Sequence, residues 1–414
     1  MIKVAILGFG NIGSGVLQVL RTNAATVSRR AGDQVEVGYI LDVRDFSAHP
    51  DAALFVNNID VILQDDSVST VVETIGGVDP AYYYVKSSLL AGKNVCTSNK
   101  ELVATHGAEL LAIAREKKVA FLFEASVGGG IPLLAPMRDD LCANVIETIH
   151  GIVNGTTNFM LTKMEKEGLS FDEALKEAQR LGYAETRDPS ADVDGIDAQR
   201  KISILTSLAY GSEIHPADVP AVGIRKVGTA DMAFAKKMGG AVKLIAYAKR
   251  YEDGCVCCGV EPMLLPASHQ LAGVQDVYNA VMLRGDMLGD VMFYGKGAGK
   301  LPTASAVVSD IVDCAKYGTD LHDTLFWAAA ESRGPITDPG AYTYYVRANA
   351  QDKAALAAVL GEATCELEEA GQLAVLTAPM TGAALAEAVK KLEEQGVAVA
   401  VTLKLLGERE MIAQ

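Results

Sequence analysis

The chain is short of cations, of cysteine and of long apolar runs. No run reaches the ~18 residues of a membrane-spanning helix, so no membrane segment is expected. Lys and Arg number 37 against 52 Asp and Glu, a formal net charge of −15. That balance argues against general affinity for nucleic acid or an anionic membrane, whose phosphates call for Lys and Arg. The opening MIKVAILGFG enters a strand at once, with no separate apolar segment and small-residue cleavage site, so no targeting leader is read. Seven cysteines, Cys96, Cys142, Cys255, Cys257, Cys258, Cys314 and Cys365, are scattered. An odd count without regular spacing fits reduced thiols in a cytoplasm rather than a disulfide framework. Cys255, Cys257 and Cys258 have no second Cys or His pair at zinc-ligand spacing and are read as strand filler. What remains is a 414-residue chain, half of it hydrophobic, enough for two or three domains with sizeable cores.

The first residues carry the clearest motif. IKVAIL has strand length, GFGNIGSG sets Gly8, Gly10 and Gly13 in G-x-G-x-x-G register, and IGSGVLQVLRTN reads as a helix. Strand, glycine turn and helix are the context a dinucleotide fingerprint requires, with the helix N-terminus facing the pyrophosphate. The next strand, VEVGYIL, ends near Asp42, which can accept from a ribose hydroxyl and favour NAD. Arg44, two residues on, can pair with a 2′-phosphate and favour NADP. The two signals conflict, and either residue can also simply cap the strand end. VSTVVETIGG, KNVCTS and VAFLFEAS then alternate with helices, as in a parallel sheet covered on both faces. Lys100 falls at a strand's carboxyl end, where ligands of such sheets bind. SVGGGIP follows, where Glu124 and loop carbonyls can offer oxygen to a hard monovalent cation, or form no more than a tight turn.

The densest polar stretch is Gly182 to Lys201, GYAETRDPSADVDGIDAQRK. It holds Glu185, Asp188, Asp192, Asp194 and Asp197 and closes on Arg200 and Lys201. IDAQRKISILTSLAYG reads as a helix with Ile202, Leu205 and Leu208 buried, so Asp197 and Lys201 share one face. A carboxylate can hold an ammonium and a lysine can pass a proton, which suits a small zwitterion. A solvated acidic loop with an ordinary surface ion pair fits the same residues. Ahead of it, SFDEALKEAQRLG carries a capping box, Ser170 with Glu173. Residues 240–294 are strand-rich and read as a mostly antiparallel sheet. YGKGAGKLPTASAVVSDIVDCAKYG is a second glycine turn into a helix, expected to return the chain to the dinucleotide domain. After a polar connector at 318–340, the last 74 residues follow a βαββαβ order.

Taken together, GFGNIGSG, VVETIGG, TSNKELVATHG, EASVGGGIP, GIVNGTTNF, GYAE…DVDGIDAQRK and YGKGAGKLPTASAVVSDI resemble the bacterial homoserine dehydrogenases with a C-terminal ACT module, in that family's order and over essentially the whole length. The resemblance implies NAD(P)-dependent interconversion of L-homoserine and L-aspartate 4-semialdehyde, on the route to threonine, methionine and isoleucine. The fold it implies is α/β. A Rossmann-type doubly wound parallel sheet is expected over 1–130, rejoined at about 295–320. An α+β catalytic and dimerisation domain is expected over 131–317, a linker over 318–340 and a ferredoxin-like ACT domain over 341–414.

Carried over by position, Lys201 is the proton donor and Lys100 the second active-site lysine. Glu185, Asp197, Asp192 and Thr156 hold substrate. Gly8, Gly10, Asn11, Ile12, Gly13, Arg44, Gly76, Lys100, Gly182 and Gly299 serve the cofactor. Glu124 and the backbones of Val127, Gly129 and Ile131 match a sodium site. Both nicotinamides are expected to be accepted, with NADP the better fit through Arg44. The loop ETRDPSA is one residue longer than the family pattern, which shifts Glu185. DKAALAA places Ala354 and Ala355 where an ACT ligand loop usually has glycine, so weak or absent L-threonine inhibition is expected. A homodimer or homotetramer is expected, with the C-terminal module pairing within it.

Overall fold

The computed structural model describes residues 1–361, 363 and 365–407; residues 408–414 of the expected ACT region lie outside the described residues. The chain forms two compact units. Among the described residues no helix is long and apolar enough to cross a membrane, and Cys96, Cys142, Cys255, Cys257, Cys258 and Cys314 are free thiols.

The first unit comprises Met1–Glu147, Ser203–Asp218 and Leu283–Gly334. Its centre is a parallel sheet of β1 (Ile2–Leu7), β2 (Val35–Leu41), β3 (Phe55–Val56), β4 (Val68–Glu73), β5 (Asn94–Thr97) and β6 (Phe121–Leu122), in the order β3-β2-β1-β4-β5-β6. Val4 to Leu7, Val71, Val72 and Val95 are fully buried, as expected of strands covered on both faces, which read as unbroken apolar runs. The later helix Lys300–Tyr317 belongs to this unit and lies on the helix Asn11–Thr22, where Gly15 leaves room for Ala304 and Lys300. Residues 318–334, read as connector, pack into the same unit. Trp327 is buried and meets the Phe123 ring edge-on at 5.6 Å. The sole tryptophan in a polar stretch was the signal that this segment is anchored.

The second unit comprises Thr148–Ile202, Val219–Met282 and the chain from Pro335 onward. Its strands belong to a nine-stranded mixed sheet in the order β11-β10-β7-β8-β9-β17-β13-β15-β14. The second unit contributes β7 (Ile146–Ile152), β8 (Gly240–Arg250), β9 (Val256–Pro266), β10 (Tyr278–Gly285), β13 (Tyr344–Asn349), β14 (Cys365–Glu369), β15 (Gln372–Leu376) and β17 (Val401–Leu405), while β11 (Gly289–Lys296) falls within the first unit's Leu283–Gly334. β12 (Ala341–Tyr342) and β16 (Met380–Thr381) form a separate two-stranded ribbon.

The C-terminal βαββαβ order is present: β13, helix Lys353–Leu360, β14, β15, helix Gly382–Glu394, β17. It differs from a free-standing domain in one respect. β17 also pairs in parallel with β9, through Lys404↔Met263 and Leu405↔Leu264, so one sheet runs through both. The physical reason is that the edge of β9 is covered at Val260 by the segment around Ala221 and otherwise leaves N–H and C=O groups bare near Met263 and Leu264. Two buried polar clusters hold the same seam. Asp231, fully buried on helix Thr229–Lys237, accepts from Tyr345 Oη at 2.9 Å and Arg347 Nε at 2.6 Å. Lys404 Nζ lies 2.7 Å from Glu261 and 3.1 Å from Asp338, with the Tyr247 and Tyr342 ring centroids each 4.4 Å away.

Candidate active site

In the first unit, the glycine turn closes as the fingerprint demands. Gly8 has φ +89°, and a Cβ on Gly13 would lie 2.0 Å from the Gly8 carbonyl, so only glycine fits there. Gly10 caps the helix that Asn11 and Ile12 begin, leaving first-turn N–H groups at an anion-attracting helix end. The Asp42 carboxylate accepts the Phe9 backbone N–H at 2.7 Å and both Nε and Nη2 of Arg44, at 2.9 and 2.7 Å. The guanidinium holds the Asp42 carboxyl well below the usual carboxylate range. The two residues whose signals conflicted in the sequence are therefore one ion pair, with Arg44 exposed and lying over the Phe46 ring.

At the carboxyl ends of β4 and β5 the organiser is Glu73, fully buried. Its Oε1 accepts the backbone N–H of Ile75 (2.7 Å) and Gly76 (3.2 Å), and its Oε2 accepts Thr97 Oγ1 (2.5 Å). Thr97 Oγ1 in turn accepts Asn99 N, and Asn99 Nδ2 donates to the Gly77 carbonyl at 2.6 Å. These bonds set the turn at Gly76 (φ +83°) and the start of helix Lys100–Lys117, where Lys100 stands. The sequence reading passed over Glu73, Thr97 and Asn99. The signal was a carboxylate ending an otherwise apolar strand, since a buried acid needs partners.

The loop after β6 is built on Glu124. Its buried carboxylate accepts the N–H groups of Leu133 (2.5 Å), Leu134 (3.0 Å) and Ala135 (2.6 Å), while its own N–H donates to Asp310 Oδ2 at 3.0 Å. Burial raises the Glu124 carboxyl. Burial, and then the charge of Glu124, raises Asp310 well above the usual range. At Gly129 (φ +57°) a Cβ would lie 2.3 Å from the Gly297 carbonyl, so the two glycine turns meet backbone to backbone. Among the described residues no backbone N–H donates to the carbonyls of Val127, Gly129 or Ile131, all three of which are buried residues. Gly299, with φ +127°, caps the helix Lys300–Tyr317.

In the second unit, the helix Ile196–Tyr210 places Asp197 and Lys201 as its spacing requires. Lys201 Nζ donates to Asp197 Oδ2 and to the Val153 carbonyl, each at 2.7 Å. Both side chains are buried, Lys201 at 8% exposure and Asp197 at 6%. This excludes a solvated surface pair. Asn154, which lies in GIVNGTTNF and was not singled out from the sequence, donates from Nδ2 to Asp192 Oδ1 (2.7 Å) and Asp197 Oδ2 (2.9 Å). Thr156 Oγ1 donates to the Tyr183 carbonyl at 2.8 Å. Gly182, with φ +76°, follows the end of helix Phe171–Arg180. Glu185 is exposed in the following loop, its carbonyl accepting Gln179 Nε2, and is not a member of the Asn154–Asp192–Asp197–Lys201 network. The expected capping box of Ser170 and Glu173 is present.

Two family models cover these regions: the homoserine dehydrogenase NAD-binding domain over residues 8–124 and homoserine dehydrogenase over 132–312. The homoserine dehydrogenase of Lactococcus lactis is 41% identical over 325 residues, covering 77% of this chain and 75% of that protein. The chain belongs to the homoserine dehydrogenase family. It is an NAD(P)-binding oxidoreductase of amino-acid biosynthesis that interconverts L-homoserine and L-aspartate 4-semialdehyde. The crystal structure of the Thiobacillus denitrificans homoserine dehydrogenase matches with a TM-score of 0.89 and 35% identity over 98% of each chain. A hyperthermophilic archaeal homoserine dehydrogenase in complex with NADPH matches with a TM-score of 0.64 and 31% identity, over 75% of this chain and 97% of that one.

Proposed function

We propose that Lys201 gives the proton to the aldehyde oxygen of L-aspartate 4-semialdehyde and, in the reverse direction, takes up the hydroxyl proton of L-homoserine. The observation that carries this is the buried Lys201–Asp197 pair, with Nζ held at 2.7 Å between a carboxylate and the Val153 carbonyl. A lysine fixed in a low-dielectric site both stabilises developing oxyanion charge and supplies the proton, each worth orders of magnitude in rate. Asp197 and Asp192, with Thr156 and the loop residue Glu185, hold the amino-acid end of the substrate, where carboxylates suit an ammonium. Lys100 is the second active-site lysine. The nicotinamide supplies and takes up the hydride, and the protein supplies geometry. It is held by Gly8, Gly10, Asn11, Ile12, Gly13, Gly76, Gly182 and Gly299, with Arg44 directed to a 2′-phosphate. The NADPH bound by the archaeal relative supports NADP as the better cofactor. Lys201→Ala should lower kcat by at least ~10²-fold while the cofactor still binds. Near-normal turnover would remove Lys201 from the mechanism. Lys100→Ala should also impair turnover, and a change confined to stability would leave that lysine a structural part.

Sodium is assigned to Glu124 and the carbonyls of Val127, Gly129 and Ile131. The donor set suits a hard cation, and the Glu124 carboxyl, raised by burial, lies beside Asp310, raised by burial and then by the charge of Glu124. Residues 341 onward are proposed to be an ACT module with a mainly structural role, since β17 is shared with the catalytic sheet and Ala354 and Ala355, expected in a ligand loop, lie in the first turn of helix Lys353–Leu360. The functional domain limits proposed are 1–130, rejoined at about 295–320, then 131–317 and 341–414, with 318–340 a connector whose residues up to Gly334 are anchored in the first unit, in a homo-oligomer.

A further inference from the structure

The side chain of Asn154 bridges two acids that lie some forty residues further along the chain. Its Oδ1 accepts the Thr157 backbone N–H and the Thr157 hydroxyl, each at 2.8 Å. A backbone N–H can only donate, so the face of the amide turned to Thr157 is oxygen and the other face is nitrogen. Both Nδ2 hydrogens are then committed, one to Asp192 Oδ1 at 2.7 Å and one to Asp197 Oδ2 at 2.9 Å. Two donors and two acceptors are the full capacity of the group, and Asn154 is only 6% exposed. The same Asp197 oxygen receives Lys201 Nζ, which also donates to the carbonyl of Val153, the residue before Asn154. One dipeptide therefore meets the lysine with its carbonyl and both acids with its side chain. It does so at the N-terminus of the thirteen-residue helix Gly155–Glu167, whose dipole favours negative charge at that end.

We infer that Asn154 is a positioning residue for the reaction. Its amide clamps Asp192 and Asp197 in one arrangement and so fixes the oxygen on which Lys201 rests. The inference depends on the assignment of Lys201, Asp197 and Asp192 above. Two like-charged carboxylates sharing one small site repel, and the Nδ2 group is a donor that bridges the two directly. With that donor gone the acids splay, Asp197 moves, and the Lys201 ammonium follows it away from the substrate oxygen. A displacement of about 1 Å at a reacting group costs on the order of 10²-fold in rate.

The alternative is that Asn154 merely caps its helix, and the two roles are separable by substitution. Serine and aspartate are both good N-caps. Serine is too short to span the two acids, and aspartate has the shape of asparagine but brings a third carboxylate in place of the donor. In full-length enzyme, Asn154→Ser and Asn154→Asp are compared with the parent for melting temperature, NADPH affinity by fluorescence titration, and kcat and KM for homoserine. The expected result is near-parental melting and NADPH binding in Asn154→Ser. In both variants homoserine kcat/KM falls by about 10²-fold, through a higher KM together with a lower kcat. Parental kcat and KM in folded Asn154→Ser would overturn the inference, as would losses of turnover that simply parallel losses of melting temperature and NADPH binding. Lys201→Ala run alongside separates the two levels. If it retains turnover, the assignment of the lysine fails. If it is inactive while the Asn154 variants are normal, only the role of Asn154 fails.

Discussion

Lys243, in the middle of β8, is fully buried, and its ammonium has one short bond, to the Val274 carbonyl at 2.7 Å, and one long one, to Asn158 Oδ1 at 3.4 Å. An ammonium carries three donors, so desolvation outweighs compensation and its pKa falls from 10.5 to about 8. The sign of the consequence is fixed by linkage. Between about pH 8 and 10.5 the unfolded chain holds a proton that the folded chain has released, so stability rises with pH across that window. The penalty of burying the charge is present in full below pH 8. A shift of two to three units corresponds to roughly 3 kcal/mol at 1.36 kcal/mol per unit. Lys243→Met keeps the length of the side chain and removes the titration. It also loses a bond from a charged donor, worth roughly 1.5–3 kcal/mol, so at pH 7 gain and loss nearly cancel. Urea midpoints of parent and variant at pH 7 and pH 10 measure this. The parent should gain stability relative to the variant at the higher pH by about 2–3 kcal/mol. Parallel pH dependence in the two proteins would refute the reasoning, because every other titrating group is common to both.

Arg44→Ala should raise the KM for NADP by about 10- to 100-fold, the range of one charge-assisted bond, and affect NAD far less; equal effects on both cofactors would move the test to Asp42. Sodium chloride should raise the melting temperature above that in choline chloride of equal ionic strength, through binding to the folded state alone, and Glu124→Gln should abolish the difference; identical curves in the two salts would remove the sodium assignment. A threonine titration of the full-length enzyme, followed by turnover and light scattering, should leave activity unchanged on a multimeric protein. Strong inhibition would show that Ala354 and Ala355 do not close the ligand loop, and a monomer mass would contradict the proposed oligomer.

What was legible in the sequence was local. The glycine turn at Gly8–Gly13, the capping box at Ser170 and the Asp197–Lys201 pair each follow from spacing within one turn or one helix. Their partners were not legible, because they arrive from elsewhere in the chain. Nothing in GIVNGTTNF shows that Asn154 reaches Asp192 and Asp197, some forty residues on. Nothing in VVETIGG shows that Glu73 will bind Thr97 from the next strand. The conflict between Asp42 and Arg44 dissolved for a similar reason: each residue was weighed against an absent ligand, whereas in the fold each is the other's partner. The pairing of β17 with β9 was hidden because periodicity identifies a strand and says nothing about which edge it will cover.

That pairing bears on how the protein is made. β9 ends at Pro266 and β17 begins at Val401, so about 135 residues must be added before the strand that seals this edge exists. At roughly 5–20 residues per second, a ribosome leaves the edge open for on the order of ten seconds. During that interval the nascent chain carries an unsealed stretch at Met263 and Leu264 of β9, buried residues in the finished protein and a short edge of the kind that recruits foreign strands. Chain order thus leaves a window in which a chaperone would protect this enzyme, and a ribosome stalled before Val401 would release a product with that edge permanently open.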